Sequence, residues 1–140
     1  MLRPLALALI VVGGCTQMPQ QPIQALDSRS LDIENRKEDV LRQLAQCESG
    51  GNGDSDRPIY GAGGAYVGRF QFSPRTVIGF VRERDGRTLS HKEAVDLAHD
   101  YRQAAQLAKW AIFERDAISH WPLCNRKHGL AARVAAIKAM

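Results

Sequence analysis

The sequence predicts a mainly α-helical domain with a glycine-rich loop or short hairpin lining a groove. Three observations predict it. Apolar residues recur at three- and four-residue spacing in several separate stretches. Helix start and stop signals bracket those stretches. Glycine and proline concentrate between Gly53 and Gly68, where no helical period survives.

Taken in order, the first helix is expected from about Asn35 to Glu48. Asn35 can cap it, with Glu38 three residues on. Val40, Leu41, Leu44 and Cys47 make one apolar face, and Gly50 and Gly51 end it, because glycine accepts the left-handed conformation cheaply. In the glycine-rich stretch, Tyr60, Tyr66 and Val67 suit a short hairpin. Ser73-Pro74 opens a second helix that carries Val77, Ile78 and Val81 and stops at Asp85-Gly86. Ser90 to Glu93 is a capping box, with Ala94, Leu97, Ala98 and Tyr101 behind it as an apolar face. A further helix is expected from about Arg102 to Glu114, turning Ala105, Leu107, Ala108 and Ile112 inward. His120 to Cys124 breaks it, and Leu130, Val134 and Ile137 mark a last amphipathic helix.

At 140 residues the chain has room for one domain and not comfortably for two. Its 44% hydrophobic and 24% charged content is ordinary for a soluble globular protein. The net charge of +4 is scattered, with Arg126-Lys127-His128 as the densest cluster. That excess suits an anionic polymer, and no recognition motif accompanies it that would point to nucleic acid.

The chain divides into three parts: 1–14, 15–30 and 31–140. Met1 to Gly14 has one basic residue, the apolar run Leu5 to Val12 and two small residues, the layout of a secretory signal peptide. The run is far shorter than the ~20 residues that span a bilayer. Val12-Gly13-Gly14-Cys15 resembles a bacterial lipobox, which implies cleavage before Cys15 and lipidation of its thiol. The alternatives are an ordinary signal peptide or an uncleaved anchor. Thr16 to Gln24, rich in Gln and Pro, reads as a flexible tether. With Cys15 lipidated, Cys47 and Cys124 remain, either bridged or as two buried thiols. Bridged, they would close a long loop, worth ~4 kcal/mol in the chain-entropy model.

The chemistry centres on Cys47-Glu48-Ser49-Gly50-Gly51-Asn52. Glu48 falls in the last turn of a helix, beside a core-facing residue and before a glycine-rich loop. An acid there opposes the helix dipole, and burial beside apolar groups raises a carboxyl pKa. Both favour the protonated form that a general acid needs to protonate a poor leaving oxygen, as in cleavage of a sugar bond. Gly68-Arg69-Phe70-Gln71-Phe72 follows twenty residues on. Gln71 can hydrogen-bond sugar hydroxyls or an acetamido group, and Phe70 and Phe72 alternate so that they point one way together, into the groove or into the core. Tyr60 and Tyr66 can stack on a sugar ring, and Trp121 either lines the groove or fills the core. Asp54 and Asp56 are the only acids near enough in sequence to supply a second carboxylate. If Glu48 acts alone, the nucleophile comes from the substrate, and muramic acid can use its own 6-hydroxyl to form an anhydro-sugar. His91, His99, His120 and His128 have no metal-ligand spacing. Neither Ser49 nor Ser73 lies in a nucleophile-elbow motif.

Glu48-Ser49-Gly50-Gly51-Asn52, Gly68-Arg69-Phe70-Gln71-Phe72 and Trp121-Pro122-Leu123-Cys124 together resemble the lysozyme-like lytic transglycosylases. The nearest type is the small single-domain one, which includes resuscitation-promoting-factor domains and the wall-opening enzymes of secretion and conjugation systems. The resemblance covers Cys47 to Cys124. It implies a lysozyme-like fold over 31–140, peptidoglycan glycan strands as substrate, Glu48 as the acid and no cofactor. Ser49, Asn52, Tyr60, Tyr66, Phe70, Gln71, Phe72 and Trp121 would contact substrate. It also implies a Cys47–Cys124 disulfide and an exported, periplasmic protein held by lipid at a membrane. By family habit, Thr16 after Cys15 points to the outer one. A secretion or conjugation machine would be the protein partner. The chain departs from the larger soluble members in having no late Asn-Ala-Tyr-Asn-Ala-Gly-like motif and a long loop from Asn52 to Gly68. A hydrolytic muramidase and a non-catalytic wall-binding lipoprotein stand as the alternatives.

Overall fold

The computed structural model describes residues 28–140. The signal-peptide and lipobox readings, Cys15 and the Gln/Pro-rich tether lie outside the described residues. Those described form six α-helices and one two-stranded sheet. In order they are α1 (Ser28–Ser49), β1 (Tyr60–Gly61), β2 (Tyr66–Val67), α2 (Pro74–Asp85), α3 (His91–His99), α4 (Tyr101–Phe113), α5 (Pro122–His128) and α6 (Leu130–Lys138). Single 3-10 turns at Ala62–Gly64 and Ile118–His120 join β1 to β2 and α4 to α5. The mainly α class is as the sequence predicts. Among the described residues no helix is long and apolar enough to cross a membrane.

The larger departures from expectation are two. The chain is already helical at Ser28, so residues 28–30 belong to α1 and not to a tether, and Asn35 sits inside the helix instead of capping it. Charge pairing holds the added turns. Arg36 pairs with Asp32 at 2.9 Å and Lys37 with Glu34 at 2.8 Å along the helix. Lys109 of α4 reaches back to both Glu34 and Glu38, and Ile33 packs on the core. The second difference is α5. His120 to Cys124 was expected only to break a helix, yet Pro122 starts one. Proline has no N–H to lose at the first helical position, and Gly129 at φ 60° closes the helix seven residues later.

The remaining helices form as their signals direct. Ser73 caps α2 by accepting from the Thr76 N–H, with Pro74 in the first turn and Gly86 in the left-handed conformation at the end. The Ser90–Glu93 capping box is complete at α3. Asp100 accepts from the Gln103 N–H at 2.9 Å and so starts α4 one residue earlier than expected, at Tyr101.

The core lies where α1 meets α4, α5 and α6 and where α2 and α3 pack together. It is built with many alanines: Ala45, Ala94, Ala98, Ala104, Ala108 and Ala111 are fully buried. Ala105, expected inward, is only half-buried, and Ala104 and Ala111 take the inner face. Aromatic rings fill the space between the hairpin and the helices. Phe70 stacks on Tyr101 with 5.7 Å between centroids, and Phe72 meets Trp121 and Phe80 edge-on. Cys47 and Cys124 are bridged, with their Cα atoms 5.9 Å apart across 77 positions of sequence. The bond ties the C-terminal end of α1 to α5.

Candidate functional site

The hairpin register decides what faces the groove. β1 and β2 run antiparallel, with Tyr60 opposite Val67 and Gly61 opposite Tyr66. Residues opposed across strands share a face, and neighbours along a strand point to opposite faces. The two tyrosines are therefore on different sides. Tyr66 and Gly61 face the end of α1. Tyr60 faces α3, where its ring meets His99 edge-on at 5.0 Å.

Gln71 lies above Gly61. Its backbone is left-handed, φ 49°, and its Nε2 donates to the Gly68 carbonyl at 2.8 Å. A Cβ on Gly61 would stand 1.8 Å from the Gln71 Oε1. Glycine at 61 is thus the vacancy into which the Gln71 amide fits. Gly68 serves the other side. At φ 76° it would bring a Cβ within 1.8 Å of the Ala98 carbonyl oxygen, so only glycine lets the hairpin seat this closely on the end of α3. Arg69 donates to the Gly53 carbonyl at 3.0 Å and fixes the loop that leaves α1.

These contacts build a cleft of about 250 Å³ lined by Glu48, Tyr66, Gln71, His120, Trp121, Pro122 and Leu123. A neighbouring hollow of about 220 Å³ shares Tyr66, Gln71, His120 and Trp121 and adds Phe72, Ser73 and Thr76. Its polar wall is the Ser73–Thr76 hydroxyl pair, 2.8 Å apart. Glu48 is half-buried at the first of these. Burial pushes its carboxyl above the ordinary glutamate value of 4.5. No arginine or lysine is among the lining residues to draw the proton away. A carboxyl in that setting can carry a proton to a bound ligand and take one back.

Of the residues singled out from sequence, Glu48, Tyr66, Gln71 and Trp121 meet at this cleft. Trp121 also belongs to the core: it is 3% exposed, and its Nε1–H donates to the Phe70 carbonyl at 2.7 Å. Phe70 is 0% exposed and cannot contact a ligand, so its assignment to the site is corrected to core packing. Phe72, 2% exposed, is likewise core and shows only an edge to the second hollow. Their alternation does put the two rings on one side, but that side is the core, where Phe70 meets Tyr101 and Phe72 meets Phe80 and Trp121. Tyr60 lies on the opposite face. Ser49 donates its hydroxyl back to the Ala45 carbonyl at 3.0 Å and is absent from the lining. Asn52 is exposed and also absent from it. Asp54 and Asp56 are exposed and do not line the cleft; Asp56 borders a separate hollow beside His99.

Sequence reasoning missed His120, Pro122 and Leu123. A signal for them existed. Once Cys47 and Cys124 are paired, the neighbours of one must lie beside the neighbours of the other, which brings 121–123 next to Glu48. Among the described residues no group of three or more His, Cys, Asp or Glu side chains is placed to hold a metal ion. Compared with family models, with curated proteins and with solved structures, the chain gives no match in any of the three.

Proposed function

We propose that this chain is a peptidoglycan-cleaving lytic transglycosylase that cuts the glycosidic bond between N-acetylmuramic acid and N-acetylglucosamine, with Glu48 as its one catalytic carboxylate. The observation that carries the reading is a half-buried glutamate, its carboxyl pushed above the ordinary value by burial, at a cleft shared with Gln71, Tyr66 and Trp121. The lysozyme-like fold belongs to the same proposal.

In this mechanism the Glu48 carboxyl gives its proton to the bridging oxygen as the anomeric carbon–oxygen bond breaks. The muramic 6-hydroxyl attacks the anomeric carbon and closes the anhydro ring, and its proton goes to the Glu48 carboxylate. The acid ends as it began, and no water is consumed. The absence of a second carboxylate from the cleft lining among the described residues supports a nucleophile supplied by the substrate over the two-carboxylate arrangement. Gln71, held by Gly68 and Gly61, offers a fixed amide to a sugar hydroxyl or acetamido group. Tyr66, 46% exposed, offers an open ring face. An exported, lipid-anchored location at a periplasmic membrane, with a secretion or conjugation machine as partner, completes the proposal and rests on Val12 to Cys15 and the resemblance alone.

The test is release of soluble fragments from purified sacculi. Glu48→Gln is expected to lower it by about 10²–10⁴-fold, the usual worth of a positioned acid, with an unchanged far-UV spectrum. Wild-type-like release by this variant would overturn the assignment. Mass spectrometry of the products should show anhydro-muropeptides. Reducing ends would make the chain a hydrolase, and binding to sacculi without release would make it a wall-binding protein.

A further inference from the structure

α5 has two sides. Cys124 is buried in its bridge to α1, and His128, one turn on, meets Gln43 of α1 at 3.0 Å. Residues 123, 126 and 127 lie clear of these two contacts, at the three- and four-residue spacing that makes helix neighbours. All three are exposed, Leu123 by 70%. Leu123 is at the same time part of the Glu48 cleft. The outer face of α5 therefore runs without interruption from the cleft rim to two cations. Among the described residues neither Arg126 nor Lys127 forms a salt bridge. An exposed leucine followed by two unneutralised cations is a surface for a ligand that is apolar near the cleft and anionic beyond it.

We infer that the outer face of α5 is a second substrate-recognition surface, on which Leu123 packs against a glycan-borne peptide while Arg126 and Lys127 pair with its carboxylates. The inference rests on the proposed function for the identity of the polymer. Every muramic acid in such a polymer can carry a peptide with free carboxylates, and the peptide leaves the sugar beside the bond being cut. Charge complementarity, together with continuity with the cleft, selects this occupant. Arg126 and Lys127 act as positioning and specificity residues, since neither lines the cleft itself.

The experiment compares Arg126→Gln/Lys127→Gln with wild type on two polymers: intact sacculi, and sacculi stripped of peptides by an amidase. Co-sedimentation reads binding, with Glu48→Gln as the background, and fragment release reads catalysis. At low salt the double variant is expected to bind and to saturate on intact sacculi about fivefold more weakly, the size that two exposed ion pairs give. Its behaviour on stripped glycan should equal that of its parent, and the difference on intact sacculi should shrink at about 0.5 M salt. Arg82→Gln/Arg87→Gln, which removes the same charge at the far end of α2, should change neither. Equal losses on both polymers, no loss on either, or the same loss in the α2 variant would each overturn the inference. A wild-type protein that binds intact sacculi in this charge-dependent way but releases nothing would sink the catalytic proposal and leave the α5 surface standing.

Discussion

Glu48 carries two consequences that follow from one cause. Its carboxyl is half-buried, and burial penalises the charged form, so in the folded chain it holds its proton to a higher pH than the ordinary 4.5. Between those two values the folded protein keeps a proton that the unfolded chain has released, so stability falls as pH rises through the interval. Below both values the two states bind the proton equally and the penalty vanishes. Glu48→Gln removes the ionisable group, and thermal unfolding should therefore match wild type near pH ~4 and occur at higher temperature than wild type near pH ~8. A variant that melts lower than wild type at the higher pH would show that the carboxylate is stabilised by a partner. The same shift sets the activity profile. With Glu48 as the proposed acid the protonated form is the active one, and cleavage should fall on an alkaline limb whose midpoint lies above 4.5.

The hairpin is the element that turns a helix end into a cleft, and its glycines divide the labour. Gly61 has an extended backbone that any residue accepts, so alanine there conflicts only with the side-chain amide of Gln71 and not with backbone. Gly61→Ala is expected to cost about 1 kcal/mol or less in unfolding experiments, and to lower fragment release because the Gln71 amide is pushed from its place. Gly68→Ala meets backbone, at 1.8 Å from the Ala98 carbonyl oxygen, in a left-handed conformation. It should cost more than ~1 kcal/mol and unseat the hairpin from α3. Equal stability losses in the two variants, read by denaturant titration, would contradict this division.

At the scale of the molecule, the Cys47–Cys124 bridge holds the two walls of the cleft together. One cysteine precedes Glu48, and the other follows Leu123. Closing so long a loop constrains the unfolded chain by ~4 kcal/mol in the entropy model. Cys47→Ala/Cys124→Ala should lower stability by about 2–5 kcal/mol. At a temperature where the variant is still folded, it should also lose release activity, because the α5 wall is no longer tied to the acid. Retained activity in a destabilised but folded variant would reduce the bridge to a stabiliser alone.

The amino-acid sequence by itself determined the helical class, the caps at Ser73 and Ser90, the hairpin, the glycine stop after α1 and the candidate acid. Each is written within a few residues of where it acts: a hydroxyl against a nearby N–H, a glycine at a left-handed turn, an apolar period of one helix. Only the tertiary structure decided that Tyr66 and not Tyr60 meets Glu48, that Phe70 and Phe72 are core, and that His120, Pro122 and Leu123 complete the wall. It also decided that Lys109 of α4 pairs with Glu34 and Glu38 of α1, a helix that starts at Ser28. These outcomes depend on strand register, on a disulfide across most of the domain and on ion pairs between helices. Local periodicity does not encode such pairings, because the groups that fix each side chain's direction lie far along the chain.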